Sequence, residues 1–253
     1  MVSDIWWLFN KYVKLSLRTP LWSLFNLIQP LIWLLIFGQL FQSMAHLPGF
    51  PAASYFDFFI PGVLVMTVLF GSSWSGVSLL REISAGTIDK MLVAPVSRLA
   101  IVVSRLLHAA VQVVIQTSII LVIATLLGSA VNLSLTGVLP AMLIVFLLGL
   151  TFSAVSNGLA MLLQREEPLV VLGNLMTMPL LFFSSAMVPE SLMPGWIQSL
   201  AALNPVNYAV TAIRSALGAT PSLTEYAIGL AVTFGFTVAA VAWAFTSFNA
   251  QRE

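Results

Sequence analysis

The sequence predicts an all-α integral membrane protein with six transmembrane helices. Three observations predict it. First, 59% of the 253 residues are hydrophobic and 8% are charged, against about 25% charged in an average soluble domain. So few charges cannot clothe a water-soluble surface, which excludes a soluble enzyme, a disordered chain and a nucleic-acid-binding protein. Second, the charges leave residues 19–56, 58–80, 106–164, 168–189, 191–213 and 226–251 uncharged. A helix crossing the hydrocarbon core needs about 20 apolar residues. Third, the basic residues segregate. With six spans both termini share one side, which holds Lys11, Lys14, Arg18, Arg81, Lys90, Arg98, Arg105, Arg165 and Arg252, and the other side holds only Arg214. The positive-inside rule makes the basic side cytoplasmic.

The chain reads as one transmembrane domain over 1–253. Residues 4–18 predict an amphipathic helix lying in the membrane interface, with Ile5, Leu8, Tyr12 and Leu15 on one face and Lys11, Lys14 and Arg18 on another. No cleavable signal peptide is expected, because the first apolar run, 5–9, is short and the basic residues follow it. The spans are read at about 21–43, 58–80, 101–127, 137–163, 168–188 and 224–248. The stretch 106–164 is too long for one span and breaks at Gly128, Ser129 and Asn132. Pro194, Gly195, Asn204 and Pro205 do not suit a lipid-spanning helix. Residues 189–218 are therefore read as short helices returning to the outer surface. Trp6, Trp7 and Trp22 mark the inner interface, and Trp196 the outer one.

No acidic or basic residue falls at mid-span, which argues against a proton relay or voltage sensor. The absence of cysteine excludes thiolate metal sites, and His46 and His108 fall on opposite sides, so no metal site is expected. Arg105, His108, Gln112 and Gln116 make a polar stripe on the third span. It is read as hydrogen bonding between helices, with a hydrated path as the other reading. Gly71 with Ser75, Gly149 with Ser153 and Asn157, and Ala154 with Gly158 repeat every four residues, the spacing of close helix contacts. No catalytic constellation appears. No Gly precedes a Lys, so a P-loop is absent and this chain is not expected to bind ATP that way.

The stretch 81–98 is charged and lies between two apolar spans on the basic side. Within it Ile88, Met91 and Leu92 follow helical spacing and form an apolar ridge flanked by Asp89 and Lys90, with Pro95 as the stop. This is read as a short docking helix over 82–97.

That stretch resembles the cytoplasmic loop of ABC-2-type transporter permeases. Glu82, Gly86, Thr87, Leu92, Pro95, Ser97 and Arg98 fall on the family's pattern, and the resemblance implies that they couple the chain to an ATPase subunit. Pro194, Trp196, Asn204 and Pro205 fall in a segment similar to the family's extracellular helix pair, implying an outer gate. The likeness covers nearly the whole chain and is nearest to permeases of the daunorubicin and multidrug resistance type. It implies an exporter in the inner membrane of the cell, built from two permease subunits and two separate ABC ATPase subunits. ATP and Mg would bind the partner, and no cofactor this chain. The second and fifth spans would line the pathway, through Met66, Phe70 and Trp74 and through Met176, Met178, Phe182, Phe183 and Met187. Soft, polarisable Met and broad aromatic faces suit a hydrophobic or amphipathic compound. A lipid-linked glycan is the alternative cargo. A membrane-embedded lipid enzyme using Arg165, Glu166, Glu167 and His108, and a secondary transporter, are the readings from other classes.

Overall fold

The computed structural model describes residues 2–18, 20–93 and 97–250; the side chains of 20–25, 89, 90, 92, 98, 249 and 250 lie outside this description. The described residues form helices and turns: α1 (Val2–Arg18), α2 (Pro20–Leu40), α3 (Tyr55–Ser84), α4 (Thr87–Val93), α5 (Arg98–Leu126), α6 (Leu135–Leu163), α7 (Glu166–Phe182), α8 (Gly195–Leu203), α9 (Pro205–Leu217) and α10 (Leu223–Ala250). Short 3₁₀ turns occupy Gln42–His46 and Glu190–Leu192.

Among the described residues, four helices are long and apolar enough to cross a membrane: α3, and the stretches 99–126, 135–163 and 223–248 of α5, α6 and α10. The chain is thus a multi-pass membrane protein. The described apolar part of α2 runs from Asn26 to Leu40. The 17 residues of α7 span about 25 Å at 1.5 Å each, short of a hydrocarbon core of about 30 Å.

Helix α3 is the axis of the fold. It packs against α2, α5, α6, α7 and α9, and the whole run from Phe58 to Leu69 is buried. A helix buried on every side reads as uniformly apolar, and this one does. Its start is fixed by reciprocal capping: Ser54 Oγ accepts from the Asp57 amide at 3.0 Å and donates to Asp57 Oδ2 at 2.7 Å. Two apolar clusters surround it. The outer one joins Tyr55, Phe58 and Phe59 to Ile144, Val210 and Ile213. The inner one joins Leu79 and Leu80 to Ile101, Leu106, Met161 and Phe248. Between them runs a polar seam, where Ser156 Oγ donates to the Ser73 carbonyl at 2.6 Å and accepts from the Gly76 amide at 2.9 Å. The small residues serve contacts within the chain. Gly149 lies on Ala110 of α5, Gly158 on the Trp243 ring of α10, and Asn157 Nδ2 donates to Ser75 Oγ at 2.7 Å.

Two sequence readings change, and a third keeps its outline. The helix expected over 168–188 ends at Phe182, and 183–188 are turns. The docking helix expected over 82–97 is divided: Glu82 belongs to the last turn of α3, and α4 begins at Thr87. Gly86 makes the break possible by taking φ +63°, a left-handed conformation that a side chain disfavours. The outer segment 189–218 comprises a 3₁₀ turn, the exposed α8 and the largely buried α9.

Candidate functional site

At the α3–α4 end of the bundle, α1, α3, α5 and α6 meet at one buried cation. Arg105 of α5 has a side chain 4% exposed and pairs with Glu82, 15% exposed, at 2.9 Å. Arg105 Nη2 donates to Ser78 Oγ at 3.0 Å and to the Ser75 carbonyl at 3.2 Å, and its Nε donates to Asn157 Oδ1 at 3.4 Å. The Tyr12 hydroxyl accepts from Arg105 Nη1 at 3.4 Å and donates to Glu82 Oε2 at 3.3 Å. The guanidinium also lies 5.3 Å from the Tyr12 ring centre. A buried ion pair is tolerated only when its remaining donors and acceptors are matched, and here each charged group has them. Burial raises the Tyr12 pKa, keeping the hydroxyl protonated as the donor to Glu82. One turn further along α5, His108 Nε2 lies 2.9 Å from Ser16 Oγ of α1. The polar stripe is therefore realised in part as inter-helix hydrogen bonding, with Arg105 as its centre.

This geometry places the expected coupling residues individually. The Glu82 carboxylate turns inward to Arg105. Gly86 makes the turn with Ala85, and Thr87 opens α4. Ser97 caps α5, its Oγ accepting from the Ala100 amide at 3.2 Å. Arg98 is the first residue of α5, but its side chain and that of Leu92 lie outside the described residues, as does Pro95 altogether. The expected apolar ridge is not offered outward as a whole. Ile88 is 5% exposed in the inner cluster and Met91 packs against it, because α4 folds back under α3. Val93 is left 90% exposed.

A cavity of about 450 Å³ opens between α2, α3, α6 and α7. It brings together four of the expected pathway residues, Phe70, Trp74, Met176 and Met178. Met66 is fully buried in the outer cluster instead. Phe182 and Phe183 line a shallower groove with Met178 further along α7. Met187 lies in the turn, where its carbonyl accepts from the Tyr55 hydroxyl at 2.9 Å. The cavity wall also holds Asn26, Gln29, Asn174 and Thr177, which sequence reasoning missed. Their signal was a polar side chain, an amide in all but Thr177, inside an uncharged stretch. A second crevice, of about 180 Å³, is lined by Tyr12, Glu82, Arg105 and His108 and shares Asn26, Gly71 and Trp74 with the cavity. The charged junction and the cavity thus meet at Trp74.

At the opposite end of the bundle, side chains of α9 replace the helical bonds that α7 lacks beyond Phe182. Asn204 Nδ2 donates to the Leu180 and Phe183 carbonyls, both at 2.7 Å. Asn207 Oδ1 accepts from the Ser185 amide at 2.8 Å, and its Nδ2 donates to Glu190 Oε1. Arg214 donates to the Ser185 carbonyl at 2.6 Å and lies 4.1 Å from the Phe58 ring centre. Turn backbone is tolerated at depth where protein satisfies it, and here protein does. Gly62 permits the turn to press against α3, since a Cβ there would meet the Ala186 oxygen at 2.1 Å. Of the expected gate residues, Asn204 and Pro205 cap and start α9, Pro194 precedes α8, and exposed Trp196 meets Phe183 edge to face at 6.2 Å. Asn207 and Arg214 complete the cluster. The cluster considered for a lipid enzyme is divided, with Glu166 pairing with Arg81 at the surface and His108 with Ser16.

Residues 3–217 match the family model described as ABC-2 type transporter. Among curated proteins, the chain is 33% identical over 198 residues to a protein named as a transport permease, ycf38, of Cyanophora paradoxa, covering 78% of this chain and 68% of the relative. It is 34% identical over 198 residues to the protein of the same name from Porphyra purpurea, with the same coverage. It is 28% identical over 208 residues to the daunorubicin resistance ABC transporter permease protein DrrB1 of Streptomyces coeruleorubidus, covering 82% of this chain and 72% of the relative. Members of this family are the membrane subunits of transporters, and the chain belongs to the ABC-2 type transporter family.

Proposed function

We propose that the chain is the permease subunit of an ATP-driven exporter of a hydrophobic or amphipathic compound, energised by a separate ABC ATPase. The functional unit holds two permease subunits and two ATPase subunits. In this reading α2, α3, α5, α6, α10 and α7 with its following turn make six spans in the inner membrane, with both termini cytoplasmic. The observation that carries the reading is the cavity between α3 and α7, walled by Phe70, Trp74, Met176 and Met178 and sharing Trp74 as a wall with the crevice of the Glu82–Arg105 junction. Aromatic and thioether surfaces bind apolar ring systems without strict geometry. The named cargo of the Streptomyces relative, daunorubicin, is a suitable first probe.

The test is reconstitution of the chain with its ATPase in inside-out vesicles. ATP-dependent daunorubicin uptake is expected, and it should fall at least tenfold in Trp74→Ala and in Gly86→Pro while membrane insertion stays normal. Uptake unchanged in both variants would refute the reading. The amide side chains Asn26, Gln29 and Asn174 favour a lipid-linked glycan as the second reading, since amides bind hydroxyl groups. Stimulation of ATPase activity by amphipathic drugs supports the first cargo, and stimulation by glycolipids alone supports the second.

A further inference from the structure

A groove of about 320 Å³ runs up the outside of α5, bounded by α1 at one end and touched by Leu27 of α2. It lies outside the cavity between α3 and α7. Val13, Leu17, Leu27, Val111, Ile115 and Ile119 make its wall. Ile115 is 56% and Leu17 73% exposed, so the groove faces lipid. On α5 it extends from His108 to Ile119, which is about 16 Å at 1.5 Å per residue. That matches one leaflet, half of a hydrocarbon core about 30 Å thick. One end lies against the interfacial helix, where His108 and Ser16 are joined.

Beside that end stand two cations. Lys14 and Arg18 are exposed and one helical turn apart on α1, flanking the Val13–Leu17 face that forms the groove wall. From residue 5 to residue 18 the helix carries no acidic residue. An apolar slot one leaflet deep, with a doubly basic edge at the interface, has the chemistry of an anionic lipid site.

We propose that this groove binds one acyl chain of an anionic phospholipid from the leaflet in which α1 lies, with the phosphate held by Lys14 and Arg18. The lipid completes the contact between α1, α2 and α5 and anchors the interfacial helix. The proposal does not depend on the cargo.

The test uses the full chain purified in uncharged detergent and offered dioleoyl phosphatidylglycerol or dioleoyl phosphatidylcholine, with bound lipid counted by native mass spectrometry. Wild type should retain phosphatidylglycerol in preference. Lys14→Gln with Arg18→Gln should weaken its binding about thirtyfold, at about 1 kcal/mol per basic residue, and leave phosphatidylcholine unchanged. Ile115→Trp, which fills the groove, should lower retention of both lipids. Equal retention of both lipids by wild type, no effect of the double variant, or displacement of the lipid by a second copy of the chain would each overturn the proposal. The double variant lies on an exposed helix face, so its result stands even where Ile115→Trp does not fold.

Discussion

Breaking the Glu82–Arg105 pair from either side should destabilise the chain, and unequally. Removing one partner of a buried pair costs about 3–5 kcal/mol when the other charge is left uncompensated. Arg105→Met leaves Glu82 with the Tyr12 hydroxyl, but Glu82 is 15% exposed at the end of α3 and can turn to water. It also strips donors from Ser78, Asn157 and the Ser75 carbonyl, each worth about 1 kcal/mol net. A loss of about 3 kcal/mol follows. Glu82→Gln leaves a cation 4% exposed without its counter-charge, so its cost should be the larger, about 3–5 kcal/mol. The double variant loses the ionic attraction once, not twice, so the two effects should fall short of their sum by about 1–2 kcal/mol. Reversible unfolding in mixed micelles, monitored by tryptophan fluorescence, gives all three values. Additivity within about 0.5 kcal/mol would refute the claim that this ion pair joins α3 to α5.

Three further outcomes follow from the packing. Gly62→Ala should destabilise the fold by about 2–4 kcal/mol, because its Cβ would lie 2.1 Å from the Ala186 oxygen, in a turn that α9 holds through the neighbouring Ser185; a thermal midpoint equal to wild type would contradict the close approach. Asn204→Ala frees the Leu180 and Phe183 carbonyls and uncaps α9, so a loss of about 2–3 kcal/mol is expected, with faster hydrogen exchange in 180–188 and at the Val206 amide. Arg81→Ala removes a pair whose side chains are 61% and 42% exposed, and stability should change by less than about 1 kcal/mol at any salt concentration.

The spans at α3, α5, α6 and α10 were legible because burial or lipid contact on every face leaves an uninterrupted apolar run. The ends of α7 were not legible. Residues 168–188 contain no charge, and their hydropathy does not distinguish a helix from turns whose backbone is satisfied by α9. The interruption was written elsewhere, in Asn204, Asn207 and Arg214, and only the fold brings these to Leu180–Ser185. The docking stretch was legible as a charged interruption, but not the direction of its side chains. Ile88 looked available because spacing marks a ridge without saying which neighbour covers it. The stripe on α5 was legible as periodicity, whereas Tyr12, Glu82 and Asn157 as partners of Arg105 lie 93, 23 and 52 residues away in the chain.

These three regions share one element. Helix α3 supplies Glu82, Ser78 and Ser75 to the charged junction, Trp74 and Phe70 to the cavity wall, and Gly62 and Phe58 to the outer turn. Its 30 residues measure about 45 Å, and its first half is packed on every side. Interiors packed at this density do not deform smoothly; they exchange one discrete packing for another. A displacement at the α3–α4 turn therefore has two outlets, the half-open stretch around Phe70–Trp74 and the glycine contact at Ala186. Both border candidate transport surfaces. A force applied at Gly86 would change the cavity first, since the α3 residues near Trp74 are less enclosed than those between Phe58 and Leu69. The order of events is testable by placing spin labels at Val93 and Met176 and comparing their distance changes with a label pair at Phe58 and Trp196. A change at the outer pair without one at the inner pair would show that α3 does not carry the motion.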